Sequence, residues 1–160
     1  MFFIVTSPVN RQYDAMWEVQ WAVEGCKVIK TRYKGLFLIE ASQDAAQKIN
    51  DYETTAVYRV IPLDTMVPAD LSQIEDAAVA LCKDKLPHSR TFAVRCNRRG
   101  FPVSSKEIER IVGAAIVEIQ NNPVNLDDPD FMVLIEILDK KAGLAVVHES
   151  DIVKKEVIDF

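Results

Sequence analysis

Glycine is scarce in this chain, five in 160 residues, and Gly25, Gly35, Gly100, Gly113 and Gly143 stand far apart. Such spacing yields neither a G-x-G-x-x-G turn nor a phosphate-cradling loop, so nucleotide-dependent catalysis has no signature here. Cysteine is equally sparse. Cys26, Cys82 and Cys96 include no C-x-x-C pair, and an odd, scattered set supplies neither a disulfide framework nor a zinc site. Each is expected to be a small buried hydrophobe in a reducing compartment. The two histidines, His88 and His148, lack a metal-ligand partner at helical or hairpin spacing. Asp127, Asp128 and Asp130 surround Pro129 in a pattern expected of a turn, where Asp bonds its own backbone and Pro fixes φ. No metal and no cofactor are expected. No nucleophile–base pair can be nominated, so the chain is not expected to be an enzyme. Every apolar run falls short of the ~20 residues a membrane helix requires, and Met1–Val5 lacks the length and basic lead of a secretion signal. A cytoplasmic location without membrane association is expected.

What the chain does have is an uneven distribution of charge. Overall it is acidic, with 19 Lys+Arg against 24 Asp+Glu. Yet from Lys85 to Lys106 there are six cations (Lys85, Arg90, Arg95, Arg98, Arg99, Lys106) and no acid. The following stretch, Ile111–Asp139, holds no cation and six acids. A basic face backed by an acidic one is the footprint of a phosphate-steering surface. The plain alternative is ordinary solvated charge, and only a motif separates the two.

Punctuation along the chain divides it into two domains, 1–65 and 66–160. In the first, Phe2–Thr6 reads as a strand, Arg11–Glu24 as a helix ending at Gly25, and Cys26–Arg32 with Leu36–Ala41 as a hairpin across Tyr33–Gly35. Ser42–Ile49 follows as a helix with a cap-type Ser, and Thr55–Ile61 as a strand ended by Pro62. The order β-α-β-β-α-β is the ferredoxin-like plan. Leu63–Ala69 reads as a linker. In the second domain, Ala69–Leu86 is expected to be a helix with Leu71, Ile74, Ala78, Leu81 and Cys82 on one face, and Thr91–Asn97 a strand. Ser104–Gln120 carries Ile108, Ile111, Val112, Ala115, Ile116 and Ile119 at helical spacing, opened by the capping box Ser104-x-x-Glu107. An acidic loop leads to strands Phe131–Leu138 and Leu144–His148. The fold class is α+β, an α/β sandwich-like arrangement.

Two constellations carry functional chemistry. Arg98-Arg99-Gly100-Phe101-Pro102 leads directly into the helix N-terminus at Ser104-Ser105-Lys106. Free backbone N–H groups and the macrodipole favour an anion there, and arginine supplies a planar fork for phosphate oxygens. Lys140-Lys141 at a hairpin tip extends the surface. On the first helix, Tyr13, Trp17 and Trp21 recur at i, i+4, i+8, with Ala15, Met16, Val19, Ala22 and Val23 roughly opposite. One stripe faces the sheet, so the other needs separate cover: an intramolecular domain interface first, a docking patch for another protein or a second copy next, base stacking third.

At Phe92-Ala-Val-Arg95, Arg98-Arg99-Gly100, Ser104–Ile108, Val112-Gly113, Pro123–Asp127 and Pro129-Asp130 the chain resembles a THUMP domain over about Pro68–His148. The N-terminal unit is similar to the ferredoxin-like domain that commonly precedes such modules. The resemblance implies binding to tRNA at its acceptor end, with catalysis carried by a separate domain or protein. It points to the small THUMP proteins that present tRNA to a cytidine N4-acetyltransferase, making tRNA and an RNA acetyltransferase the implied partners. Carried onto matching positions, the RNA-binding residues are Arg95, Asn97, Arg98, Arg99 and Lys106. Arg110, Lys140 and Lys141 are added from charge and placement. The alternatives are a protein-docking adaptor using the Tyr13/Trp17/Trp21 row, a general RNA binder without tRNA preference, and a small-molecule sensor on the ferredoxin-like unit.

Overall fold

The computed structural model describes residues 1–159. In chain order the elements are β1 (Phe2–Thr6), α1 (Gln12–Ala22), β2 (Lys27–Lys30), β3 (Leu36–Glu40), α2 (Ala45–Asp51), β4 (Arg59–Leu63), β5 (Thr65–Pro68), α3 (Leu71–Lys85), β6 (Phe92–Arg99), α4 (Ser105–Gln120), β7 (Phe131–Leu138), β8 (Lys141–Val147) and β9 (Val153–Lys154). The chain forms two compact units. One comprises Met1–Leu63 together with the tail from Ser150, the other Asp64–Glu149. The expected boundaries, 1–65 and 66–160, therefore shift: the tail packs with the first unit. Phe160, the last residue of the expected second domain, lies outside the described residues.

The first unit has the ferredoxin-like order. Its sheet runs β2-β3-β1-β4-β9, antiparallel throughout. Alternate residues of the central strands, Phe3 and Val5, Phe37 and Ile39, bury against Ala15, Met16 and Val19 of α1 and Ala45 and Ile49 of α2. The tail completes the sheet edge through Arg59↔Lys154 and Val60↔Val153. Beyond β9, the Lys155 ammonium donates to the carbonyls of Ile49, Asn50 and Tyr52 at 2.8, 3.1 and 2.6 Å. It satisfies the open C-terminal carbonyls of α2. Arg11 donates to the Ile158 carbonyl at 2.6 Å from the other side.

One strand lies four residues later than its sequence suggests. Thr55–Val57 is apolar and β-branched, but Glu18 of α1 accepts from the amides of Thr55 (2.6 Å) and Ala56 (2.9 Å), pinning the segment as a buried loop. Strand β4 then includes Pro62, which pairs with Phe3 of β1. β9 covers only Arg59 and Val60, so the missing proline N–H falls where β4 has no second neighbour.

The second unit is a four-stranded sheet, β5-β8-β7-β6, in which β6 and β7 are parallel and the other pairs antiparallel. Helices α3 and α4 cover one face, burying Phe92, Val94 and Cys96 of β6 with Val133, Ile135 and Ile137 of β7 and Ala142, Leu144 and Val146 of β8. The apolar line of α4 is Ile108, Val112, Ile116 and then Gln120; Ile119 lies outside it and is exposed. Buried Gln120 donates to the Leu86 carbonyl and to Asn122, and Asn122 donates to the carbonyls of Pro87 and Arg90. These amides fasten the turn before β6. The expected linker is partly strand: Thr65–Pro68 pairs with β8 as an edge, where proline is tolerated. Asp64 anchors its start, accepting from the Val146 amide at 2.9 Å and from Lys85 at 2.8 Å.

Candidate nucleic-acid interface

Strand β6 runs two residues further than its apolar pattern, so Arg98 and Arg99 are its last members and the turn begins at Gly100, where φ is +73°. Register places Arg99 opposite Leu138, and Leu138 opposite Lys141. The Asp139 amide donates to the Arg99 carbonyl at 2.8 Å. Arg98, Arg99, Lys140 and Lys141 therefore share one end of the sheet. The turn from β6 delivers the N-terminus of α4 to that same end. Ser104 caps it, accepting from the Glu107 amide at 3.2 Å. The other arm of the expected capping box does a different job, because the Glu107 carboxylate pairs with Arg110 at 2.5 Å. This contact holds the Glu107 carboxyl below its usual range and raises the Arg110 guanidinium.

Alternation along β6 separates neighbouring basic residues. Arg98 is exposed, and its guanidinium donates to the Phe101 carbonyl at 2.6 Å, bracing the turn beneath it. Arg99 points the other way. It forms an ion pair at 3.1 Å with Glu136 of β7, a carboxylate only 3% exposed, whose second oxygen accepts from Asn97 at 3.0 Å. An acid this buried requires its partners, so Arg99 and Asn97 satisfy the protein's own charge. Arg95 also diverges: its guanidinium reaches the Leu126 carbonyl at 2.6 Å, toward the acidic loop.

The eight expected RNA-binding residues thus sort into three groups. Arg98, Lys140 and Lys141 are exposed at the sheet end, with Lys106 exposed in the first turn of α4. Arg95, Lys106 and Arg110 rim an open groove of about 770 Å³ between the β6 edge and α4, floored by Val94, Val117 and Leu126. Asn97 and Arg99 are engaged with Glu136. Sequence reasoning missed Glu136 and the groove. The signal for Glu136 was available: one carboxylate in Phe131–Leu138, otherwise wholly apolar, implies a buried partner. Beneath the groove, Glu109 accepts from the Cys96 amide at 2.9 Å and covers the strand edge, and burial pushes the Cys96 thiol up to about 11.

The remaining candidates find structural roles. Asn125 accepts from the amides of Asp127 and Asp128 at 3.1 and 3.0 Å, forming the turn expected of that segment. Asp130 and Thr91 brace each other, each amide donating to the other's side chain at 2.8–3.0 Å. The His148 ring lies 4.3 Å from that of Phe131. Among the described residues no group of three or more His, Cys, Asp or Glu is placed to hold a metal ion, and no helix is long and apolar enough to cross a membrane. Tyr13, Trp17 and Trp21 are 64%, 59% and 64% exposed, and the first unit itself does not cover them.

A β-α-β edge carrying cations at the strand end and helix start, in a four-stranded sheet, defines a class. The THUMP domain model matches residues 68–147, half of the chain, and the chain belongs to the THUMP-domain family, whose module binds RNA. Among curated proteins, a probable tRNA sulfurtransferase of Caldanaerobacter subterraneus is 32% identical over 131 residues, covering 79% of this chain and 33% of the relative. The chain thus spans about a fifth to a third of the length of the curated relatives it matches. Among solved structures, a Pyrococcus horikoshii protein aligns over 92% of this chain and 55% of its own, with a TM-score of 0.74 at 21% identity. A 4-thiouridine synthetase–RNA complex with bound ATP aligns over 96% and 41%, with a TM-score of 0.69 at 18% identity. At these identities the structural likeness shows the fold.

Proposed function

We propose that this chain binds tRNA, near its acceptor end, and presents it in the cytoplasm to a separate modification enzyme such as a cytidine N4-acetyltransferase, without catalysing a reaction itself. The observation that carries this reading is the convergence of exposed Arg98, Lys106, Lys140 and Lys141 at the end of the second unit's sheet, beside the capped start of α4. Cations there meet the phosphate backbone, which supplies affinity and its salt dependence. Folded RNA is then recognised by shape more than by base edges. Family membership and the RNA-bound relative of the same fold support this choice over a general polyanion patch.

Arg99 is a poor probe of this surface, because removing it strands Glu136. Arg98→Ala combined with Lys106→Ala is the cleaner test. In a gel-shift titration the double variant is expected to weaken tRNA binding and to flatten the slope of log K against log salt by about 1.4–1.8, at ~0.7–0.9 per phosphate contact. Unchanged binding rules the surface out. Equal affinity for tRNA and for duplex RNA of the same length reduces the reading to general RNA binding.

A further inference from the structure

Away from the sheet-end surface, the first unit presents a row of large exposed rings. Tyr13, Trp17 and Trp21 line one side of α1, all more than half exposed, while Ala15, Met16, Val19 and Val23 are buried on the other. The two indoles stand edge to face, centroids 5.9 Å apart. Such a row on a helix is costly unless something covers it.

The charges around it indicate what. From Gly25 to Ile39 the chain holds four cations, Lys27, Lys30, Arg32 and Lys34, and no acid. A count over the first 65 residues, 7 cations against 8 anions, conceals this. Strand β2 is the sheet edge, and Val28, on the same face as Lys30, packs into the core beneath the helices. Lys30 therefore rises on the helix side, its ammonium 5.0 Å from the centre of the Tyr13 ring. Arg32 lies 5.3 Å over Tyr33 in the adjoining turn. The acids of α1 are drawn elsewhere: Asp14 pairs with Arg11 at 3.2 Å, and Glu18 accepts from the Thr55 and Ala56 amides. Glu24 follows the helix beyond Trp21. Open rings beside cations, with the nearest helix acids engaged, match a single-stranded nucleic acid: bases stack on aromatic faces while cations follow the phosphates.

We propose that the Tyr13–Trp17–Trp21 row with Lys30 is a second RNA contact, a stacking platform for unpaired nucleotides. Trp17 and Trp21 each receive one base, and Lys30, beside Tyr13, meets a phosphate at that end of the row. The platform does not depend on the sheet-end surface of the second unit.

The chain contains only two tryptophans, both in this row, so intrinsic fluorescence reports on it alone. Titration of the full chain with a short, unstructured oligouridylate is expected to give saturable quenching. Trp17→Ala, read through Trp21, is expected to weaken it about fivefold or more, the lower limit for one stacked base. Lys30→Ala is expected to flatten the salt slope by about 0.7, one single-strand phosphate contact. Quenching that persists in the Arg98→Ala/Lys106→Ala variant supports the platform even if the sheet-end reading fails. Quenching lost in that variant, or absent at concentrations where tRNA binds, overturns the proposal. So does equal quenching by duplex RNA, or a fluorescence change that tracks protein concentration without RNA and so marks a second copy on the row.

Discussion

Between Lys85 and Lys106 six cations stand without an acid; between Gly25 and Ile39 four do. On paper the first stretch is the stronger attractor for phosphate. In the fold, much of its charge is directed inward. Arg99 neutralises Glu136, Arg95 serves the Leu126 carbonyl, Lys85 pairs with Asp64, and just beyond the stretch Arg110 pairs with Glu107. The second stretch keeps Lys27, Lys30, Arg32 and Lys34 exposed, with Lys30 beside the Tyr13 ring. The difference lies in architecture. Both β6 and β2 are sheet edges, but the neighbour of β6 carries Glu136, which takes the Arg99 and Asn97 side chains. Formal charge in a sequence window is an upper bound on the field a ligand meets.

The sharpest way to break this comparison is to treat two neighbouring arginines alike. Arg99→Ala leaves a 3%-exposed carboxylate bonded to Asn97 but without its counter-charge. The expected loss of stability is about 2–3 kcal/mol, below the value for a fully buried pair because the Arg99 side chain is itself 30% exposed. Adding Glu136→Gln removes the stranded charge and keeps an acceptor for Asn97, so most of that loss is expected to return. Arg98→Ala, one residue earlier, is expected to stay within about 0.5 kcal/mol. Urea unfolding of the four proteins decides it. Equal losses for Arg98 and Arg99 mean that the division of labour along β6 is wrong.

These contacts also mark what was legible in the sequence. Helix α4 was, because Ile108, Val112 and Ile116 fall on one line and Ser104 announces its start. The ferredoxin-like order was, because local punctuation delimits each element. Thr55–Val57 misled, since an apolar run reads as a strand until Glu18, 37 residues away, takes its amides. Thr65–Pro68 misled for the opposite reason: its proline suggests a linker, but pairing with β8 makes it an edge. The site was half legible. Its location at the strand-to-helix turn follows from local pattern. Which cations remain open follows from a buried Glu136 and from strand parity, and parity is invisible until the strand's true end at Arg99 is known.

Within the sheet-end surface, the helix start has its own measurable weight. Ser104→Ala removes the acceptor for the Glu107 amide and is expected to cost about 1 kcal/mol. Asp44, at the corresponding position of α2, makes no side-chain capping bond. Ser42→Ala, which removes a hydroxyl bonded to the exposed Asp44 carboxylate, is therefore expected to change stability by less than about 0.5 kcal/mol. Thermal melts separate these outcomes, and a neutral Ser104→Ala would mean that the first turn of α4 is not held by its cap.

The smallest effect tests the other region. Trp17→Ala and Trp21→Ala are each expected to cost no more than about 1 kcal/mol, because residues 59% and 64% exposed lose mainly the edge-to-face contact with the other indole. Truncating a tryptophan that belongs to a core costs about 3–5 kcal/mol. A loss of that size in chemical denaturation would show the rings covering apolar surface in the free protein. A small loss of stability combined with lost quenching by single-stranded RNA leaves the row a contact surface, since the same substitution would then have moved binding far more than packing.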